Sequence, residues 1–203
     1  MSPKKEISHG SRRESSNQDD DAVVQIAMSL GATDAKLITE SQVVVGNWVR
    51  LKCQCGCPYF GKTLTCPPFT PPIEEVRKML SEYGRILLVK FEQEPISENT
   101  DSDKFMEEFE KRQREVNSAT LKIEKQLMLK GYYKVFALEP GRCNRCAECA
   151  KEPGKCRFPA EARPAPESFA IDVFGTVENA GWGLEVKTNQ FQSWINYALI
   201  LVD

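Results

Sequence analysis

Apolar side chains recur along this chain with two periods, and the switches between them outline a mixed fold. Asp21 reads as an N-cap, and Val23, Val24, Ile26, Ala27 and Leu30 follow at helical spacing up to a stop at Gly31. Residues 35–52 read as extended, because Val43, Val44 and Val45 are β-branched and Trp48 to Cys53 alternates apolar with polar. A helix is predicted over 73–83. There Ile73, Val76, Met79, Leu80 and Tyr83 share one face, Pro71-Pro72 precede it and Gly84 follows. The run RILLVKF, 85–91, predicts a buried strand. A long helix is expected over 103–130, where Phe105, Phe109, Val116, Ile123 and Leu127 recur and Gly131 ends the pattern. Further strands are expected at 133–139 and 196–202, with a short helix over 166–179.

The order strand 85–91, long helix, strand 133–139 fits a right-handed crossover that would leave the two strands parallel. The fold class is therefore α+β (mixed α/β). Helices would pack on a small mixed sheet, and two cysteine-rich loops would leave from strand ends. Residues 1–20 are polar and charged, with too little apolar surface to offset ordering entropy, so they read as a disordered tail. Residues 21–203 then form a single domain. Lys4, Lys5, Arg12 and Arg13 would make the tail a docking arm in the functional alternative.

Composition narrows the chemistry. The single histidine, His9, lies in the polar tail. A Ser-His-Asp triad, a His-ligated zinc enzyme and a His-ligated haem are therefore not expected. The formal net charge is −2, from 27 Lys+Arg and 29 Asp+Glu, and gives no nucleic-acid footprint. No apolar run approaches the roughly 20 residues that span a bilayer, and the first residues lack the apolar stretch of a secretory signal. A cytoplasmic protein is expected, without nucleic-acid or membrane partners. In that compartment thiols stay reduced, so eight cysteines point to metal or redox chemistry more than to a disulfide framework.

All eight cysteines fall in two short windows. Cys53, Cys55, Cys57 and Cys66 form the first, and Cys143, Cys146, Cys149 and Cys156 the second. Both windows hold Pro and Gly, which keep a loop non-repetitive. The second has three thiols spaced as C-x2-C-x2-C, the arrangement that wraps one face of an iron–sulfur cluster, with a fourth thiol after six residues. All eight are candidate ligands. A [4Fe-4S] cluster on the second quartet is the main reading, and a four-thiolate zinc site is the rival. In the first window Cys55 is either a fourth ligand or spare. A three-thiolate site would leave one metal position open, as in catalytic metal centres. Arg142, Arg145, Lys151, Lys155, Arg157 and Arg163 crowd the second window, where cations would raise the potential of an anionic cluster or would form a solvated surface.

Residues 56–63 match the phosphate-loop pattern G-x4-G-K-[ST] letter for letter. That pattern needs a helix to start at its lysine, and Pro67, Pro68, Pro71 and Pro72 forbid one in that place. The match is read as a decoy.

The combined motifs resemble a family catalogued as domain of unknown function 2284, predicted metal-binding proteins. They are Trp48 to Cys53, Gly56-Cys57-Pro58, Tyr59 to Lys62, Cys66-Pro67-Pro68, Leu138 to Cys143 with Cys146 and Cys149, Cys156 to Pro159, Arg163-Pro164, Glu167 and Ile171 to Val173. The resemblance covers about residues 22–203. It implies metal binding through both cysteine windows, with an iron–sulfur cluster expected, and no known reaction. Two positions depart from the pattern. Cys55 is an extra thiol, and Ser168-Phe169-Ala170 stands where small residues ending in Gly are expected.

Three function classes follow. The first is an iron–sulfur protein serving electron transfer or a redox enzyme, with a redox partner protein. The second is a zinc-stabilised interaction module, and the third an enzyme with an open metal site in the first window. Glu167 and Asp172 could do acid–base work, but such carboxylates more often cap a helix or pair with Arg163 or Lys187. Trp182 and Trp194 could stack on a ligand but read as core or rim packing residues, and Lys62 and Thr63 could contact an anion near the metal, although Lys62 reads as an exposed side chain.

Overall fold

The structure is a computed structural model describing residues 10–97, 100–184 and 192–203, with side chains described from residue 18 onward. Its centre is a four-stranded sheet in the order β1 (Asp34–Ile38), β3 (Ile86–Gln93), β6 (Trp194–Leu201), β4 (Phe136–Leu138). All three pairings are antiparallel. Leu87 faces Ile200, and Leu138 faces Leu199. The ladder β2 (Val44–Val45) with β5 (Ile171–Asp172) stands beside the sheet.

Both faces of the central sheet are buried, so its inner strands read as continuous apolar runs. Leu87, Val89, Phe91, Ala198 and Ile200 pack with Val23 and Ala27 of α1 (Gly10–Ser29) and with Val116, Ile123 and Leu127 of α4 (Ser102–Leu129). The alternate residues Ile86, Leu88, Leu199 and Leu201 face the other way. They pack with Val76 and Leu80 of α3 (Ile73–Leu80) and with Val177 of α5 (Val173–Asn179). Each fully buried Leu or Ile on these strands is worth about 1.5–3 kcal/mol. The result is a helix–sheet–helix α+β sandwich.

Several expectations are corrected. The strands at 86–93 and 136–138 do run in the same direction, but β6 lies between them, so the sheet is antiparallel and not mixed. The C-terminal run supplies the missing partner, which no local pattern announces. The first helix opens at Gly10, and Asp21 lies inside it. Asp19 and Asp20, assigned to the tail, pair with Arg85 at the edge of β3. The tail reading for residues 1–9, His9 included, falls outside the described residues.

The stretch read as extended over 35–52 splits, and α2 (Asn47–Gly56) is helical. Its alternation is real but short, and Val49 alone among its residues is buried. Packing of α2 against the turn at 166–169 overrides the local pattern. The helix expected over 166–179 is broken into a 3₁₀ turn, Pro166–Phe169, then β5, then α5. The break sits at Ala170, whose φ of 58° is left-handed and ends the turn. Among the described residues no helix is long and apolar enough to cross a membrane.

Candidate metal centre

The small ladder β2·β5 sets the geometry of the first cysteine window. β2 feeds directly into α2, and β5 receives the chain from the 3₁₀ turn, so α2 and that turn lie side by side. The Gly46 N–H, at the start of α2, donates to the Ala170 carbonyl at 2.9 Å. Arg50 reaches from α2 to Thr70 Oγ1 and the Pro71 carbonyl, both at 3.2 Å. Thr70 Oγ1 in turn donates to the Ser168 carbonyl at 2.8 Å. This clasp fixes both ends of the window.

The first window therefore leaves a helix, not a strand end as expected. In a strand Cys53, Cys55 and Cys57 would share a face, whereas in a helix residues four apart share one and residues two apart diverge. Accordingly Cys53, Cys57 and Cys66 line one cavity of about 350 Å³, and Cys55 is not among its walls. Cys55 is exposed and lines an outer groove with Trp48 and Leu51, a groove that Cys53 and Cys57 also border. Cys66 is buried, carried back by a loop in which the Gly61 N–H donates to the Pro67 carbonyl at 2.9 Å. Gly61 has a φ of 68°, a conformation that favours glycine.

Cys53 Sγ lies 3.7 Å from the Glu167 carbonyl oxygen. Burial, then the nearby Cys57 and Glu167 charges, push the Cys53 thiol up, with Arg50 opposing. Glu167 lines both this cavity and the outer groove and is solvent-exposed. The surrounding walls desolvate its carboxyl and push its pKa up.

The second window leaves the end of β4, as expected. Its four thiols, Cys143, Cys146, Cys149 and Cys156, line a single cavity of about 260 Å³. Two buried ion pairs hold the loop at its ends. Arg145 donates to Glu139 at 2.5 Å, with the two side chains 11% and 1% exposed. Arg163 grips Glu124 of α4 through two bonds of 2.7 and 2.6 Å. Burial pushes the Glu139 carboxyl up to about 8, against the pull of Arg145 and Arg163.

These pairs divide the basic cluster read from the sequence. Arg145 and Arg163 are structural anchors. Lys62, Arg142, Lys151 and Arg157 are the cations on the cavity wall besides Arg145, with Glu148 beside them. Lys151 pairs with Glu148 at 3.2 Å, and Arg157 donates to the Glu148 carbonyl at 2.7 Å.

The two windows meet. The Leu64 N–H of the first loop donates to Cys149 Sγ at 3.4 Å. Tyr59 and Arg142 line both thiol cavities, with the guanidinium 4.3 Å from the Tyr59 ring centroid. Sequence reasoning missed this shared wall, because a cation–π contact between residues 59 and 142 leaves no local signal. It also missed Asn144 and Met106 of α4, which both line the first cavity.

The donor chemistry fits a thiophilic metal at both cavities. Soft thiol sulfurs face a common space, and backbone N–H groups of Leu64 and Arg145 reach Cys149 and Cys143. Burial pushes the Cys143 thiol up, and the Arg145 N–H pulls it down. Among the described residues no three Cys, His, Asp or Glu side chains are gathered closely enough to hold an ion as they stand. Ligation would thus draw the loop sulfurs inward.

The remaining candidates resolve into structural roles. Asp172 caps α5, accepting from the Gly175 N–H at 3.1 Å, so it does not pair with Glu167 for acid–base work. Lys187 lies outside the described residues. Trp182 packs on Tyr197, and Trp194 on Phe109. No helix begins at Lys62, and the chain turns repeatedly until α3, so the phosphate-loop context is missing. Lys62 and the buried Thr63 instead line the second thiol cavity.

A family model described as predicted metal-binding protein (DUF2284) matches residues 36–202. No curated protein and no solved structure matched the chain.

Proposed function

We propose that this chain, which belongs to that family of predicted metal-binding proteins, is an iron–sulfur protein of the cytoplasm that exchanges electrons with a partner protein or redox enzyme. The observation that carries the reading is the second cavity, where four thiols share one space under a wall bearing Lys62, Arg142 and Arg157. Cys143, Cys146, Cys149 and Cys156 would hold a [4Fe-4S] cluster, which when bound supplies reversible one-electron chemistry. The cationic side chains would offset the negative charge of four thiolates and raise the potential of the site. The Leu64 N–H bond to Cys149 would act in the same direction, stabilising added charge on sulfur. Anchoring by the Glu139 and Glu124 pairs keeps the loop ends fixed, which lowers the reorganisation that electron exchange demands.

Anaerobic purification tests the reading. Iron and acid-labile sulfide should be present in equal amounts, with a paramagnetic resonance signal on dithionite reduction. Cys146→Ser should remove that signal. A colourless protein carrying zinc and no sulfide would refute the cluster and leave a zinc-stabilised module in its place.

A further inference from the structure

We infer that the mouth of the second thiol cavity is a docking face for the acidic surface of a small one-electron carrier protein. That the partner carries electrons rests on the iron–sulfur reading. That it is an acidic protein rests on the residues at the mouth alone.

Charge singles out this face. Lys62, Arg142, Lys151 and Arg157 line the cavity against one carboxylate, Glu148, apart from Arg145, whose charge is spent on Glu139. Those four cations and one anion give the mouth +3, whereas the whole chain carries −2, so the rest of the molecule carries −5. An oxidised cubane on four thiolates would bring about two negative charges, fewer than the mouth has in excess. A positive mouth on a negative body orients an acidic partner before contact and repels it everywhere else. The cations are also held in place. Arg157 donates to the Glu148 carbonyl at 2.7 Å, which fixes the guanidinium without cancelling its charge. Arg142 lies over the Tyr59 ring, 4.3 Å from its centroid, and only 3.6 Å separates it from Glu110. Holding the cations in this way lowers the ordering cost of docking.

The pattern fits a protein better than another polyanion. Tyr59 and Phe158 stand on the same mouth, 39% and 42% exposed, and aromatic rings beside arginine are what protein interfaces use as anchors. Glu148 projects among the cations with its side chain 81% exposed, and Glu152 is exposed beyond it. These carboxylates repel a phosphate chain or an anionic bilayer, which has no charge to set against them. A protein surface can place a cation opposite each. Pairing with the acidic body of a second copy would be head-to-tail, which builds rings or filaments and not a discrete pair.

The probe is a flavodoxin, a small acidic flavin protein, labelled with a fluorophore and titrated anaerobically with the full-length chain. Anisotropy reads the affinity, and iron and acid-labile sulfide are measured in every sample. Binding should saturate at one to one and weaken about tenfold as NaCl rises from about 20 to about 200 mM. Lys62→Glu and Lys151→Glu should each weaken it about fivefold or more, and Phe158→Ser about threefold. Lys151→Glu should keep the iron and sulfide of wild type. Lys130→Glu makes the same charge change on an exposed lysine at the C-terminal end of α4, and it should alter binding by less than about twofold. No binding by wild type, or an equal loss in Lys130→Glu, would overturn the inference. So would tighter binding, lost in Lys62→Glu, of a single-stranded oligodeoxythymidylate or of phosphatidylserine vesicles. Self-association at low salt in sedimentation velocity, abolished by Lys62→Glu, would assign the face to a second copy and overturn it too. Iron and sulfide without flavodoxin binding would end the docking face and leave the cluster reading standing. Flavodoxin binding with this charge dependence, by a protein free of iron and sulfide, would end the cluster reading and leave the acidic docking face.

Discussion

Removing Arg163 while keeping Glu124 should be among the most damaging single changes in the protein. Glu124 is 3% exposed, and its carboxylate accepts two bonds from Arg163 and one from the Ala137 N–H at 3.0 Å. In Arg163→Met the methionine stem replaces much of the arginine packing, including contact with the Phe136 ring. The carboxylate is then left buried with one N–H partner. Breaking a buried pair in this way costs about 3–5 kcal/mol. A Coulomb estimate at an effective dielectric of 20 gives about 4 kcal/mol for charges about 4 Å apart, which agrees. For a chain of this size 1 kcal/mol moves the thermal midpoint by about 2–4 °C, so the midpoint should fall by roughly 6–20 °C. Glu124→Gln should cost less, since Arg163 is 12% exposed against 3% and its guanidinium keeps the Ala162 carbonyl at 3.0 Å. The double variant Glu124→Gln/Arg163→Met should recover a large part of the loss, because no unpaired charge remains. Circular dichroism melts of all three variants, prepared anaerobically and scanned at one rate, measure these differences. A loss below about 1 kcal/mol in Arg163→Met, or a double variant worse than either single, would refute the assignment of the pair as a loop anchor.

Two further outcomes are expected. Ala170→Gly should stabilise the chain by up to about 1 kcal/mol. The left-handed backbone at φ 58° costs an L-residue about 1–2 kcal/mol, and the added freedom of the unfolded chain returns about 0.4–1; a lowered thermal midpoint would refute this. Arg85 holds the Asp203 and Asp19 carboxyls below their usual range, Asp203 through its hydrogen bonds and Asp19 together with the Tyr132 hydroxyl. Depressed carboxyl values contribute stability that is complete above about pH 4 and lost as pH falls through the folded-state values. Acid titration of the unfolding midpoint between about pH 4 and pH 2 should therefore be shallower in Arg85→Leu than in wild type, and identical slopes would count against the cluster.

Much of this organisation was legible in the residue order. The strand at 86–93 and the long helix at 102–129 emerged within a residue or two of expectation, because a strong period summed over many positions outweighs local context. The grouping of eight cysteines into two windows was equally plain, and so was the failure of the phosphate-loop match, since proline forbids the required helix wherever the chain places it. The left-handed backbone at Ala170 was not read from the sequence, because an alanine carries no local signal for positive φ.

The identity of the thiols that share a space lay beyond the sequence. The alternation from Trp48 to Cys53 suits a strand, and a strand would have kept Cys53, Cys55 and Cys57 together. Pairing of β2 with β5 instead lays residues 47–56 against the turn at 166–169, where a helix satisfies the backbone and buries Val49. That choice leaves Cys55 on the outer groove, which Cys53 and Cys57 also border, and sets Cys53 and Cys57 with Cys66 on the inner cavity. The sequence alone determined that residues 10–203 carry eight thiols and no imidazole, and hence which metals they suit. Tertiary structure decided how many thiols each cavity receives, because side-chain direction follows the backbone period, and here long-range packing selects that period over the local pattern.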